Sequence, residues 1–98
     1  MEQTKTLIGF FMQRDGYYEK FDDYDLEDLG GEMPVVGDLI VDPGVLKGRD
    51  RSDPANRTIF EVVARYFRPR TTDHKYVFIS VLVKARQGQQ EEINILGP

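Results

Sequence analysis

Two long runs with a repeat of two constrain the fold more than anything else in the chain. Residues 58–68 alternate Phe60, Val62, Ala64 and Tyr66 with Glu61, Val63, Arg65 and Phe67. Residues 74–85 alternate Val77, Ile79, Val81 and Val83 with Tyr76, Phe78, Ser80 and Leu82. Period-two runs rich in β-branched and aromatic residues read as strands. Pro69 stops the first run and residues 70–73 make a short polar link, so the two runs form a long antiparallel hairpin. One side of it is continuously apolar. The other still carries Val63, Phe67, Phe78 and Leu82, and apolar surface of that extent needs a cover or a partner.

The rest of the chain supplies more strands than helices. Residues 5–14 read as a strand with Ile8, Phe10 and Met12 on one parity and Leu7 and Phe11 on the other. That double-sided pattern suits a strand with apolar neighbours on both faces. Gly9 inside it marks a bulge or a close backbone approach. Asp15-Gly16 is a hairpin signal of the type I′ kind, and Tyr17, Tyr18 and Phe21 begin the returning strand. Residues 22–29 then read as a short helix, capped by Asp22 or Asp23, closed by Gly30, and burying Leu26 and Leu29. Leu39, Ile40 and Val41 form a short strand ended by Asp42-Pro43-Gly44. Residues 42–57 form a long loop, functional, mobile, or containing a helical turn at Asp53-Pro54. After a turn around Gly88, Ile93 and Ile95 share a parity, and residues 92–96 read as a final short strand.

The expected fold is therefore mainly β. It is a small antiparallel β-barrel or a strongly bent five- to six-stranded sheet with one or two short helical turns, an α+β arrangement being the alternative. With so few helices, the sheet has to curl on itself or meet another sheet. Ninety-eight residues fit a single domain, 1–98.

Composition removes whole classes of chemistry. There is no cysteine, so disulfides, thiolate catalysis and thiolate metal sites are excluded. The one histidine, His74, lies beside Asp73 in the polar link and reads as an exposed turn residue rather than a general base. The acids from Asp23 onward start like a calcium-binding loop. The pattern fails where it needs Gly and Glu, at Asp28 and Pro34. No glycine-rich phosphate loop and no Gly-x-Ser-x-Gly elbow is present. No cofactor is expected, and the chain reads as non-enzymatic. No apolar run nears the roughly 18 residues of a membrane span, and residues 1–5 do not look like a signal peptide. The expected location is the cytoplasm, with no membrane partner.

The net charge is −4, and its distribution is polarised. Residues 1–49 carry five bases and eleven acids, whereas residues 50–98 carry eight bases and six acids. Acids gather at 19–32 and bases at 65–75. Such a chain can meet a second copy of itself. The leading expectation is an interaction module that self-associates, as a homodimer or larger, through the 58–85 hairpin, with Val63, Phe67, Phe78 and Leu82 at the interface. A single-stranded nucleic-acid binder is the alternative. Arg65, Arg68, Arg70 and Lys75 would meet phosphates and the interleaved rings would stack on bases, although the net charge opposes it. A third reading is a small-molecule pocket or small enzyme inside a barrel. A fourth presents Asp22, Asp25 and Asp28 to a basic partner protein.

Overall fold

The computed structural model describes residues 5–73 and 75–97. It is one five-stranded mixed sheet: β1 (Lys5–Arg14), β2 (Tyr17–Asp25), β3 (Leu39–Val41), β4 (Thr58–Arg68) and β5 (Tyr76–Gln87). Their order across the sheet is β2-β1-β5-β4-β3. The β1–β2 and β4–β5 hairpins have the expected antiparallel pairing. The join between them does not, because β1 and β5 run parallel from Lys5/Tyr76 to Met12/Val83. The sheet is bent and open: β2 and β3 lie at opposite edges and never meet, so no barrel closes.

That order dictates the rest. The chain leaving β2 must cross the whole sheet to reach β3. In crossing, it buries one face. Ile8 and Phe10 of β1, Phe60 and Val62 of β4, and Ile79, Val81 and Val83 of β5 form the core on that face. Leu26, Leu29 and Met33 of the crossover pack against it, with Phe21, Tyr24 and Ile40. The crossover is fixed where it arrives. The Gly37 amide donates to the Val62 carbonyl at 2.9 Å, and the Val62 amide donates to the Asp38 carbonyl at 3.0 Å. A second layer of crossing chain thus does what a second sheet does in a sandwich.

Two bulges set which side chains reach this core. On β2 the register against β1 shifts at Phe10/Phe11, leaving Phe21 as the extra residue. Its ring lies 6.2 Å from Phe10 and 5.1 Å from Phe60, on the covered face. On β4 the register against β5 shifts between Val62 and Ala64, so Val63 is the extra residue. A bulge reverses the parity of everything beyond it. Arg65 and Phe67 therefore come to lie opposite Val81 and Ile79, on the covered side, while Tyr66 and Arg68 lie opposite Ser80 and Phe78.

Three local expectations are corrected. The acid-rich segment is strand through Asp25, and only Leu26–Leu29 coils, as a 3-10 turn. The pairing of Tyr24 against β1 and the packing of Phe21 and Tyr24 on the core gain more than a two-turn helix gains on its own. The end of the turn follows expectation, with Gly30 at φ 68. At the first hairpin Gly16 has φ 79, but no non-glycine residue has positive φ among the described residues. The turn therefore cannot be type I′, which needs positive φ at both central positions. Residues 92–96 are not a strand. A 3-10 turn at Gln90–Glu92 runs into one α-helical turn, Ile93–Leu96. Leu96 is 7% exposed and Ile95 76%, a spacing that buries one side of a helical turn. The long loop does hold the expected helical turn, Pro54–Asn56, capped by the Asp53 carboxylate accepting from the Ala55 amide at 3.0 Å.

Segment 88–97 is clasped to the sheet from two sides. Arg57 is 2% exposed. Its guanidinium donates to the carbonyls of Gly97 at 2.8 Å and Leu96 at 3.2 Å. Arg86 makes two 2.8 Å hydrogen bonds to the Glu92 carboxylate, which also accepts from the Gln89 amide. Gly88 has room only for hydrogen, since a Cβ there would sit 2.6 Å from the Pro54 carbonyl oxygen.

Candidate interaction surface

The crossover covers one face and leaves the other to be read row by row. The register of β2, β1, β5 and β4 lines up Asp25, Leu7, Phe78 and Arg68 in the first row. The next row is Asp23, Gly9, Ser80 and Tyr66, and the third is Lys20, Phe11, Leu82 and Ala64. Alternation places all twelve on the face opposite the core. Gly9 and Ser80, paired in the middle row, have small side chains and form the floor of a depression between larger ones. The Phe11 ring explains the glycine, because a Cβ at position 9 would stand 3.1 Å from it. The result is an open trough of about 690 Å³, with a smaller apolar hollow of about 250 Å³ beside it between Phe11, Tyr18 and Tyr66.

The walls of the trough differ in charge. On the β2 side stand Asp23, Asp25 and Asp28. Asp28 accepts a hydrogen bond from the Asp25 amide at 2.9 Å, which holds the turn against the strand end. Lys5 reaches Asp25 at 3.9 Å and Lys20 reaches Asp23 at 2.8 Å, all at half-exposed side chains. Such pairs are worth about 0–1 kcal/mol and exchange readily with solvent or a partner. On the β4 side Arg68 lies over the Phe78 ring, 4.3 Å from its centroid. The guanidinium is thereby positioned at the rim with its charge outward. Tyr66, 53% exposed, stands next to it.

The structure sorts the candidate residues differently from the sequence. Of the four interface candidates, Phe78 and Leu82 share the open face, Phe67 lies opposite Ile79 on the other side, and Val63 is the bulge itself. Of the candidate nucleic-acid contacts, Arg65 and Arg68 fall on opposite faces. Arg65 stacks on Phe67 at 5.2 Å and donates to the Pro34 carbonyl at 3.4 Å. Phe67, a ring interleaved with these basic residues, is thus already capped by Arg65 of its own strand. Arg70 and Lys75 sit in the link before β5 and each has an interaction of its own. Of the acidic candidates, Asp25 and Asp28 line the trough. Asp22 lies opposite Phe10 on the covered side, where its carboxylate accepts from the Tyr24 hydroxyl. Burial above all, and then Asp22, pushes the Tyr24 phenol up to about 12. His74 lies outside the described residues.

Sequence reasoning did not single out Leu7, Phe11, Gly9, Ser80 or Tyr66 as one surface. The second apolar parity of β1 was its visible trace. What joins them is the parallel β1–β5 pairing, between segments about seventy residues apart. Nor did any pattern mark Arg57 as buried. Among the described residues, no group of three or more acids or histidines is placed to hold a metal ion, and no helix is long and apolar enough to cross a membrane.

No family model matches the chain, and comparison with curated proteins and with solved structures finds no match.

Proposed function

We propose that this chain is a non-enzymatic interaction module and that its working surface is the open face of β1, β5 and β4. One observation carries the reading. The crossover from β2 to β3 spends its apolar residues on one face of the sheet, and Leu7, Phe11 and Phe78 remain on the other around an open trough, with Leu82, itself 8% exposed, under the adjoining hollow. Contiguous apolar surface framed by charge marks a contact site in soluble proteins. The trough has the volume of a ligand pocket, but it runs open along the sheet. A small ligand needs most of its surface enclosed, whereas a second macromolecular surface does not.

The test is direct. At low micromolar protein, a neutral solvatochromic dye should bind the intact chain with a blue shift. It should lose that binding in Phe78→Glu, with the circular dichroism of the sheet unchanged. A folded wild-type chain that binds no dye, or a Phe78→Glu variant that binds it equally, contradicts the assignment of the surface.

A further inference from the structure

We infer that the occupant of the open face is a second copy of this chain, docked face to face about a two-fold axis parallel to the strands. The inference rests on the open face being the interaction surface, and it adds the partner and the geometry.

The charge pattern selects the axis. β3 pairs only with Ile59, Phe60 and Glu61. At the Leu7/Phe78 end, β4 is therefore the edge, and the sheet is four strands wide. One edge there carries Asp22, Asp23 and Asp25 of β2 with Glu27 and Asp28 of the following turn. The opposite edge ends in Arg68, with Arg70 just beyond. The midline between these edges is the β1–β5 pairing. A two-fold axis parallel to the strands over that midline exchanges the edges and keeps every row at its own height. β2 of one copy then lies over β4 of the other.

Row by row the match is consistent. Asp25 meets Arg68 of the other copy. Asp23 meets the exposed Tyr66, whose hydroxyl can donate to it. Lys20 meets Ala64, which has no charge. Down the middle, Leu7 lies over Phe78 and Phe11 over Leu82. Turning the copy instead about an axis across the strands, over the middle row, would set Asp23 over Asp23 and Arg68 over the uncharged Ala64, so that Arg68 would meet no acid and Lys20 alone would meet Asp25. Edge-to-edge pairing through β2 is opposed by the same acids, since charge on an edge strand discourages strand addition.

The face is modest. Four strands about 4.8 Å apart over about seven residues give a footprint of roughly 450 Å² per copy before side-chain relief. Interfaces below about 1,200 Å² in total are weak and transient. The dimer should therefore be in exchange with monomer rather than obligate.

Sedimentation equilibrium of the full chain at about 100 μM, a range suited to weak interfaces, tests the geometry. Arg68→Glu and Asp25→Lys should each weaken self-association at least about tenfold, by setting like charges opposite each other twice. An equimolar mixture of the two variants should recover wild-type association, because both contacts of the mixed pair are then opposite in sign. Should Asp25→Lys lose the sheet signature in circular dichroism, Asp25→Asn takes its place: its mixed pair with Arg68→Glu keeps one Asp25–Arg68 contact and no like-charge contact, and should associate more tightly than Arg68→Glu alone. If the mixture associates no better than either variant alone, while Phe78→Glu still abolishes association, the axis is wrong and the open face stands as the interaction surface. If the wild-type chain is monomeric at this concentration, a second copy is not the occupant.

Discussion

A single arginine shows how much of this fold rests on one side chain. Arg57 is almost wholly buried, yet among the described residues its partners are backbone carbonyls: Leu96, Gly97 and, at 3.4 Å, Arg51. Its Nε has no partner. A guanidinium offers five donors in a fixed fork, so it can hold several carbonyls at once. The Leu96 and Gly97 carbonyls lie at the end of a helical turn, where no intrahelical donor reaches them. Arg57→Met keeps much of the buried stem and removes all the donors. It should lower the unfolding free energy by about 1–3 kcal/mol, the usual cost of leaving buried polar groups unpaired. Urea denaturation reads this as a lower midpoint at unchanged slope. A midpoint equal to that of wild type would show that the clasp contributes nothing.

At the scale of elements, the period of the sequence was a good guide to where strands lie and a poor one to which way they face. Residues 58–68 and 76–87 are long strands as the alternation implies. The Val63 bulge then turns Phe67 away from Phe78 and brings Tyr66 beside Ser80. Nothing in the residue types around Val63 announces the extra residue. The same limit applies at 92–96, where Ile93 and Ile95 suit a strand parity but the segment pairs with neither edge of the sheet. Leu96 is buried instead, and the segment coils. Its attachment carries its own pH dependence. Arg86, through its hydrogen bonds, and then the Gln89 amide hold the Glu92 carboxyl down at about 2, against 4.5 ordinarily. A carboxyl depressed in the folded state stabilises that state above its ordinary value, and the contribution fades as pH falls from 4.5 towards 2. Amide protection in residues 90–97, taken relative to the intrinsic exchange rate at each pH, should therefore fall across that acid range. In Arg86→Met it should already be low at pH 5 and change little on acidification. Equal protection in both proteins at pH 5 would remove Arg86 as the cause.

At the scale of the whole molecule, the mainly β class was legible from alternation and from the scarcity of helical pattern. The parallel β1–β5 pairing and the crossover were not, because both depend on contacts between distant segments, whereas hairpins join neighbours. These non-local features are what create the proposed interaction surface. The crossover decides which face is covered, and the parallel pairing brings the second apolar parity of β1 beside that of β5. The polarity of charge seen in the sequence acquires a position, acids on the β2 edge and Arg68 on the β4 edge, at the same end of the sheet. The most direct check is the mass of the chain in solution as its concentration rises. Multi-angle light scattering from about 5 to 200 μM, the window in which small interfaces associate, should show the wild-type mass climbing from 11.3 kDa towards twice that value. Ile95→Asp, which changes an exposed apolar residue on segment 88–97, should climb with it, while Phe78→Glu should stay at one chain. A wild-type mass that stays at one chain throughout, or a Phe78→Glu variant that associates like wild type, would contradict the account.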